Sequence, residues 1–310
     1  MKAIVIERQK MVRRRMNRFL IAAGFEPVIV EEPAEIESHI VDAQLLICDA
    51  FDGDLLVSKT REHPGLRGLL ITAEPINRCL RHVVENPRIS HVLGRLNFDS
   101  APRPWELLMI LKRMFRPGKG DAELRNYLGF GYTTIEFRPG TNDERDEVVA
   151  RVQSFVDSLA LPKRVGEGFA ELAHELLMNA MYDAPVDAAG SPKYAMDRKQ
   201  QLNLPDEEKP VVVCGTDGDK LLLRVTDPFG RLERKHVFAG LARGLAGGEM
   251  DRSHGGAGLG MMVCHNSTAG MFYEVVRNKR TTATGFFDLD ANLREFRKGG
   301  RSLHYFESEE

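Results

Sequence analysis

Residues 171–184 read ELAHELLMNAMYDA and residues 253–262 read SHGGAGLGMM. On a helix, Glu175 and Asn179 stand at i and i+4, so a carboxylate and an amide oxygen project from one face. That pair suits a magnesium ion and an activated nucleophile. The run Gly256-Ala257-Gly258-Leu259-Gly260 exposes backbone N–H groups without Cβ atoms in the way, and the apolar MMVCHNS after it reads as a helix. Such a turn can seat phosphates. Between the two stretches, the apolar residues 221–225 read as a strand that ends in Asp227-Pro228-Phe229-Gly230, placing a carboxylate at a strand end where it can accept from an adenine amino group.

Working outward, residues 132–138 alternate like a half-buried strand. Residues 144–158 carry Val148, Val149, Val152, Phe155 and Val156 at helical spacing, and a second helix is expected from about 165 to 183. Strands are expected at 211–214, 221–225, 271–277 and 284–289. This is a layout of helices against a mixed sheet. The polar residues 185–210 read as an insertion after the helix that bears Asn179.

Residues 125–295 resemble the GHKL superfamily, the ATP-binding fold of gyrase, heat-shock protein 90, histidine kinases and MutL-type proteins. The family's N-box is matched by Glu175 and Asn179, its Asp-x-Gly-x-Gly box by Asp227 through Gly230, and its Gly-x-Gly box by Gly256, Gly258 and Gly260. Within the superfamily the chain is most similar to anti-sigma-factor serine kinases. The resemblance implies a two-layer α/β sandwich with a mixed sheet, and ATP and Mg²⁺ as ligands. It implies that Asn179 binds the ion, Glu175 orients or deprotonates an attacking hydroxyl, and Asp227 reads adenine. Asp183, Gly230, Leu259 and the three box glycines would line the nucleotide, with Thr284 supporting Asp227. Residues 231–255 would be a lid. The departure is Phe229, where the family often has its first glycine. His174 precedes Glu175, and one residue along a helix turns the side chain about 100°, so His174 is read as structural.

Neither box stands alone as evidence. The glycine run fails the pattern G-x-G-x-x-G because Met261 stands at the third position after Gly258, and the chain has no G-x-x-x-x-G-K-[ST]. The order and spacing of the three motifs carry the reading.

Residues 2–115 alternate short apolar runs with amphipathic stretches, the pattern of a parallel α/β sheet. Strands are expected at 3–7, 27–31, 45–48, 68–72 and 90–93, and helices near 9–22, 34–41, 55–62, 75–85 and 102–115. This half resembles a response-regulator receiver domain, implying a flavodoxin-like, doubly wound sheet with Asp49 at the phosphoacceptor position and Thr72 after the fourth strand. The family's acidic pair after the first strand reads Glu7-Arg8, and its Lys-Pro after the fifth reads Arg95-Leu96. Asp49 is therefore either a phosphoacceptor or a polar residue ending a buried strand. The Pro-Gly-Lys-Gly-Asp stretch at 117–121 is the expected linker, giving domains at 1–117 and 125–295 and a tail at 296–310 that carries no signal of its own.

The 310 residues contain 43 Lys and Arg against 45 Asp and Glu, a formal charge of −2, which excludes a global field for nucleic acid or membrane. The basic run 8–18 has Met11, Val12, Met16, Phe19 and Leu20 at helical spacing, so its cations read as the solvated face of the first helix. The four cysteines, Cys48, Cys79, Cys214 and Cys264, form no C-x-x-C pair. The four apolar residues before Glu7 are too few for a signal segment, and no stretch approaches about eighteen apolar residues, so a cytoplasmic location is expected.

The functions open at this point are a signalling protein whose ATP-dependent kinase, acting on serine, threonine or histidine of a partner, is regulated by the receiver-like half; a nucleotide-gated binding module or ATPase; and a pseudokinase scaffold. The resemblance also allows a homodimer.

Overall fold

The computed structural model describes residues 1–115, 123–246 and 257–309; of Ala257, Gly258 and Leu293 it describes the backbone alone. The expected linker at 117–121 lies wholly outside these residues. The chain divides into two compact units, Met1–Lys119 with Asn292–His304, and Gly120–Ala291 with Tyr305–Glu310. The protein is α/β. Its described residues form eleven strands joined by both parallel and antiparallel pairing.

In the first unit, β1 (Lys2–Ile6), β2 (Glu26–Val30), β3 (Ala43–Asp49), β4 (Arg67–Thr72) and β5 (His91–Gly94) lie in the order β2-β1-β3-β4-β5, all parallel. Their runs are apolar on both faces, as a sheet covered by helices on both sides requires: Ala3, Ile4, Leu45, Leu46, Ile47, Leu69 and Leu70 are all fully buried. Helices α1 (Lys10–Ala22), α2 (Gly53–Glu62), α3 (Leu80–Glu85) and α4 (Pro104–Phe115) connect or follow them. On α1, Val12, Met16 and Leu20 stand four apart and are buried, while Arg14, Arg15 and Arg18 face outward.

Two elements differ from the sequence expectation. The helix expected at 34–41 is a pair of 3₁₀ turns, Pro33–Ser38 and Ile40–Asp42. Pro33 and the Glu32/Glu35 capping box start the first, and the short link from β2 to β3 tightens so that Ile36 and Ile40 both reach the core. The tail is not a featureless appendage. Helix α9 (Leu293–Lys298) leads into β11 (Ser302–Ser308), whose first residues pair antiparallel with β5 through Leu303↔Val92 and His304↔His91. His304 Nε2 lies 2.9 Å from Glu106 Oε1, both fully buried, and the Ser302 hydroxyl accepts from the Gly94 N–H at 2.8 Å.

The second unit is built on β6 (Thr133–Phe137), β7 (Val211–Thr216), β8 (Lys220–Asp227), β9 (Gly270–Val276) and β10 (Arg280–Asp288), in the order β9-β10-β8-β7-β6 with each described pair antiparallel. Helix α5 (Asn142–Asp157) opens on a Thr141/Glu144 capping box, and buries Val148, Val152 and Val156 against α6 (Lys163–Met178). Helix α6 presents Phe169, Leu172, Ala173, Leu176 and Leu177 to the core. It comes so close to β10 that a Cβ at Gly285 would lie 3.0 Å from the Leu172 side chain. Helices α7 (Arg234–Leu245) and α8 (Ala257–Asn266) pack on each other, and α8 also meets α6.

Candidate functional site

Glu175 lies in the last turn of α6, half-buried, and Asn179 follows at its C-cap, also half-buried. There the helix widens into a π-turn, Asn179–Asp183, closed by Ala184 N–H donating to Asn179 C=O at 2.9 Å. Single π-turns inside helices are frequent at functional sites. Among the described residues, neither the Glu175 carboxylate nor the Asn179 amide makes a side-chain hydrogen bond. The π-turn packs against β8. His174, one position before Glu175, is exposed.

The glycine box stands differently from the expected loop followed by a helix. Gly258, Leu259 and Gly260 already belong to the first turn of α8, and Gly256 lies outside the described residues. The consequence for chemistry is favourable: the N–H groups of an opening turn have no intrahelical partner. Gly260 brings this turn onto α6. A Cβ there would lie 2.5 Å from Glu175 Oε2, so only glycine admits the carboxylate at its present position. Leu259 is about half exposed beside it.

Asp227 closes β8 and is buried. Its Oδ1 accepts from the Phe229 N–H at 2.9 Å, in the Asx turn that Asp-Pro-Phe-Gly is suited to make. Burial raises the Asp227 carboxyl to about 6, against the opposing backbone N–H groups of Phe229 and Gly230. Gly230 has φ +63°, and a Cβ there would stand 2.1 Å from the Val276 carbonyl oxygen. Only glycine fits.

Thr284 does not support Asp227. In the β8–β10 register, Asp227 faces Thr281 and Thr284 faces Arg224, whose Nε donates to the Thr284 hydroxyl at 3.1 Å. Residues three apart on a strand point to opposite sides of the sheet and stand about 10 Å apart, so Thr284 and Asp227 lie on different faces. Thr281 is the threonine beside Asp227. The sequence offers three threonines in RTTATG, and only the strand register selects among them.

Asp183 is bound to Arg198, a residue of the 185–210 segment that sequence reading passed over. Burial raises the Asp183 carboxyl while Arg198 opposes the rise. The same segment is tied to the helix end by Tyr182, whose hydroxyl donates to Gln200 C=O at 3.1 Å.

A magnesium ion held with a nucleotide takes one or two protein oxygens and fills its octahedron with water and phosphate. No cluster of three or more His, Cys, Asp or Glu suited to a metal occurs among the described residues. An amide oxygen at 179, uncommitted and accessible, fits the first arrangement. A shallow depression of about 380 Å³ lined by Arg125, Leu128, Gly129, Phe130, Gly131 and Tyr132 includes none of these residues.

In the first unit, Asp49 ends β3 as expected, buried, with Oδ2 2.8 Å from Arg95 Nη2 and Oδ1 accepting from the Phe51 N–H at 3.2 Å. Burial raises its carboxyl above the ordinary range, partly offset by the Phe51 N–H and Arg95. The Thr72 hydroxyl is engaged with Glu74 at 3.0 Å. No helix among the described residues is long and apolar enough to cross a membrane. Neither the models of known protein families nor the curated proteins give a match to this chain.

Proposed function

We propose that the second unit is an ATP-binding unit of GHKL type, a two-layer sandwich, and that the protein is a signalling kinase that phosphorylates a serine, threonine or histidine of a partner protein. The observation that carries this reading is the contact of Gly260 with Glu175. It brings the N–H groups of the α8 first turn, which helix geometry leaves without intrahelical partners and which suit phosphate oxygens, beside a carboxylate suited to a hydroxyl proton.

In this reading Asn179 holds Mg²⁺, which when bound with the nucleotide neutralises phosphate charge. Asp227 accepts from the adenine amino group, with Phe229 beside the base. Glu175 takes the proton of the attacking partner hydroxyl as its oxygen bonds to the γ-phosphorus and the bond to the β-phosphate oxygen breaks, releasing ADP. Catalysis then comes from positioning and charge neutralisation. The strand order β2-β1-β3-β4-β5 supports a flavodoxin-like, receiver-related first unit, to which this reading gives the regulatory role.

The test is transfer of labelled γ-phosphate from ATP to proteins of a cell extract by the purified chain. The expected result is labelling that falls on the order of a hundredfold in Glu175→Gln while ATP binding is kept. Binding without any labelling or hydrolysis in the unmutated protein would leave a nucleotide-gated binding module in place of a kinase.

A further inference from the structure

Open parallel sheets hold ligands in the crevice at the carboxyl ends of their strands. In the first unit that crevice is filled by the protein's own charges. Glu7 directly follows β1, Asp49 ends β3 and Arg95 directly follows β5, and they are 7%, 8% and 5% exposed. One guanidinium bridges both acids: Arg95 Nη1 is 2.8 Å from Glu7 Oε2 and Nη2 is 2.8 Å from Asp49 Oδ2. The remaining oxygens are used as well, Glu7 Oε1 by the Gln9 N–H at 2.8 Å and Asp49 Oδ1 by the Phe51 N–H.

The neighbouring charges are balanced in the same way. Arg8 forks onto Asp52, with bonds of 2.8 and 3.0 Å. Aromatic rings roof the guanidinium. Phe98 lies over Arg95 with its ring centroid 5.4 Å from Cζ, and Phe51 stacks on Phe98 at 5.6 Å.

Two adjacent buried carboxylates both stay ionised only beside a counter-cation. A hard divalent ion binding oxygens at about 2.0–2.6 Å meets that need, and so does a planar guanidinium that presents separate N–H groups to each acid. Here the guanidinium does so under an aromatic cover that disfavours a hydrated ion.

We propose that this crevice is a divalent-cation site in which Arg95 is the resident cation. With Arg95 present the unit takes up no metal ion there and Asp49 receives no phosphoryl group. Neutralising position 95 turns Glu7 and Asp49 into ligands for a hard divalent ion. The first unit therefore communicates through its surface. This inference is independent of nucleotide binding by the second unit.

The experiment uses the full chain without nucleotide. Mn²⁺ uptake is followed by paramagnetic resonance for the unmutated protein, Arg95→Met and the double variant Asp49→Asn/Arg95→Met, alongside melting curves with and without metal. Labelling of the unmutated protein is followed after incubation with acetyl phosphate and Mg²⁺. The expected result is no Asp49-dependent Mn²⁺ uptake and no labelling in the unmutated protein. Arg95→Met should bind Mn²⁺ about tenfold or more tightly than the double variant and melt several degrees higher when the metal is added.

Asp49-dependent metal uptake or labelling in the unmutated protein would overturn the proposal, as would a folded Arg95→Met that binds Mn²⁺ no better than the double variant. Should Arg95→Met not fold, Arg95→Gln takes its place, and the unmutated protein's response to acetyl phosphate still decides.

Discussion

At the scale of single residues, Asp227 offers the sharpest solution signature. Its ordinary carboxyl value is 3.8 and burial lifts it to about 6 in the folded chain. A raised acid costs the fold stability while ionised. That cost is present above about pH 6 and is relieved as pH falls through 6 toward 3.8. Base recognition runs the other way, because an acceptor must be ionised. Adenosine, used in place of ATP so that no phosphate titrates, should therefore lose affinity as pH drops below about 6, and Asp227→Asn should bind weakly with a flat profile. Calorimetry between pH 5 and 8 checks this, and a flat profile in the unmutated protein would remove Asp227 from the base site.

The residues whose place in the fold sequence reading gave are set by local pattern: Glu175 and Asn179 by helical spacing, Asp227 by its strand end. Those it misplaced or missed depend on long-range pairing. Thr281 is chosen over Thr284 by the β8–β10 register, and Arg198 reaches Asp183 from a segment without helix or multi-residue strand.

At the scale of elements, the first turn of α8 joins glycine chemistry to the placement of Glu175. Gly260 is helical, so alanine there should favour the helix by about 1 kcal/mol. Its Cβ would nevertheless fall 2.5 Å from Glu175 Oε2, the far end of a flexible side chain, which must swing away. Gly260→Ala should thus hold or raise the melting temperature while slowing phosphate transfer on the order of a hundredfold, the usual effect of a small misplacement in a catalytic group. Equal loss of stability and turnover would show that the glycine serves packing alone. The buried strands β1, β3 and β4 were legible because each is a short apolar run between amphipathic stretches. Residues 34–41 were not, since Ile36 and Ile40 fit helical spacing equally well in two consecutive 3₁₀ turns. Strand β11 was hidden for a different reason: its partner β5 lies about 200 residues earlier, and its buried Ser302 and His304 break the apolar signal.

At the scale of the whole molecule, the two units have different chemistry. The first is closed on itself, its crevice acids neutralised by Arg95 and Arg8, and its β5 edge covered by residues 302–304 of the same chain. Among its described residues, the second leaves the Glu175 carboxylate and the Asn179 amide without a side-chain hydrogen bond at the end of α6, which packs on α8. This contrast supports the proposal of an input unit and a nucleotide-binding unit in one chain. The claim beneath all of this is that the second unit binds Mg·ATP through Asn179. Titration calorimetry of the full chain with ATP, with and without Mg²⁺, tests it most directly. The account predicts Mg²⁺-dependent binding that is lost in Asn179→Ala while the circular dichroism and melting temperature are kept. Unchanged affinity in that variant, or no binding by the unmutated chain, would contradict it.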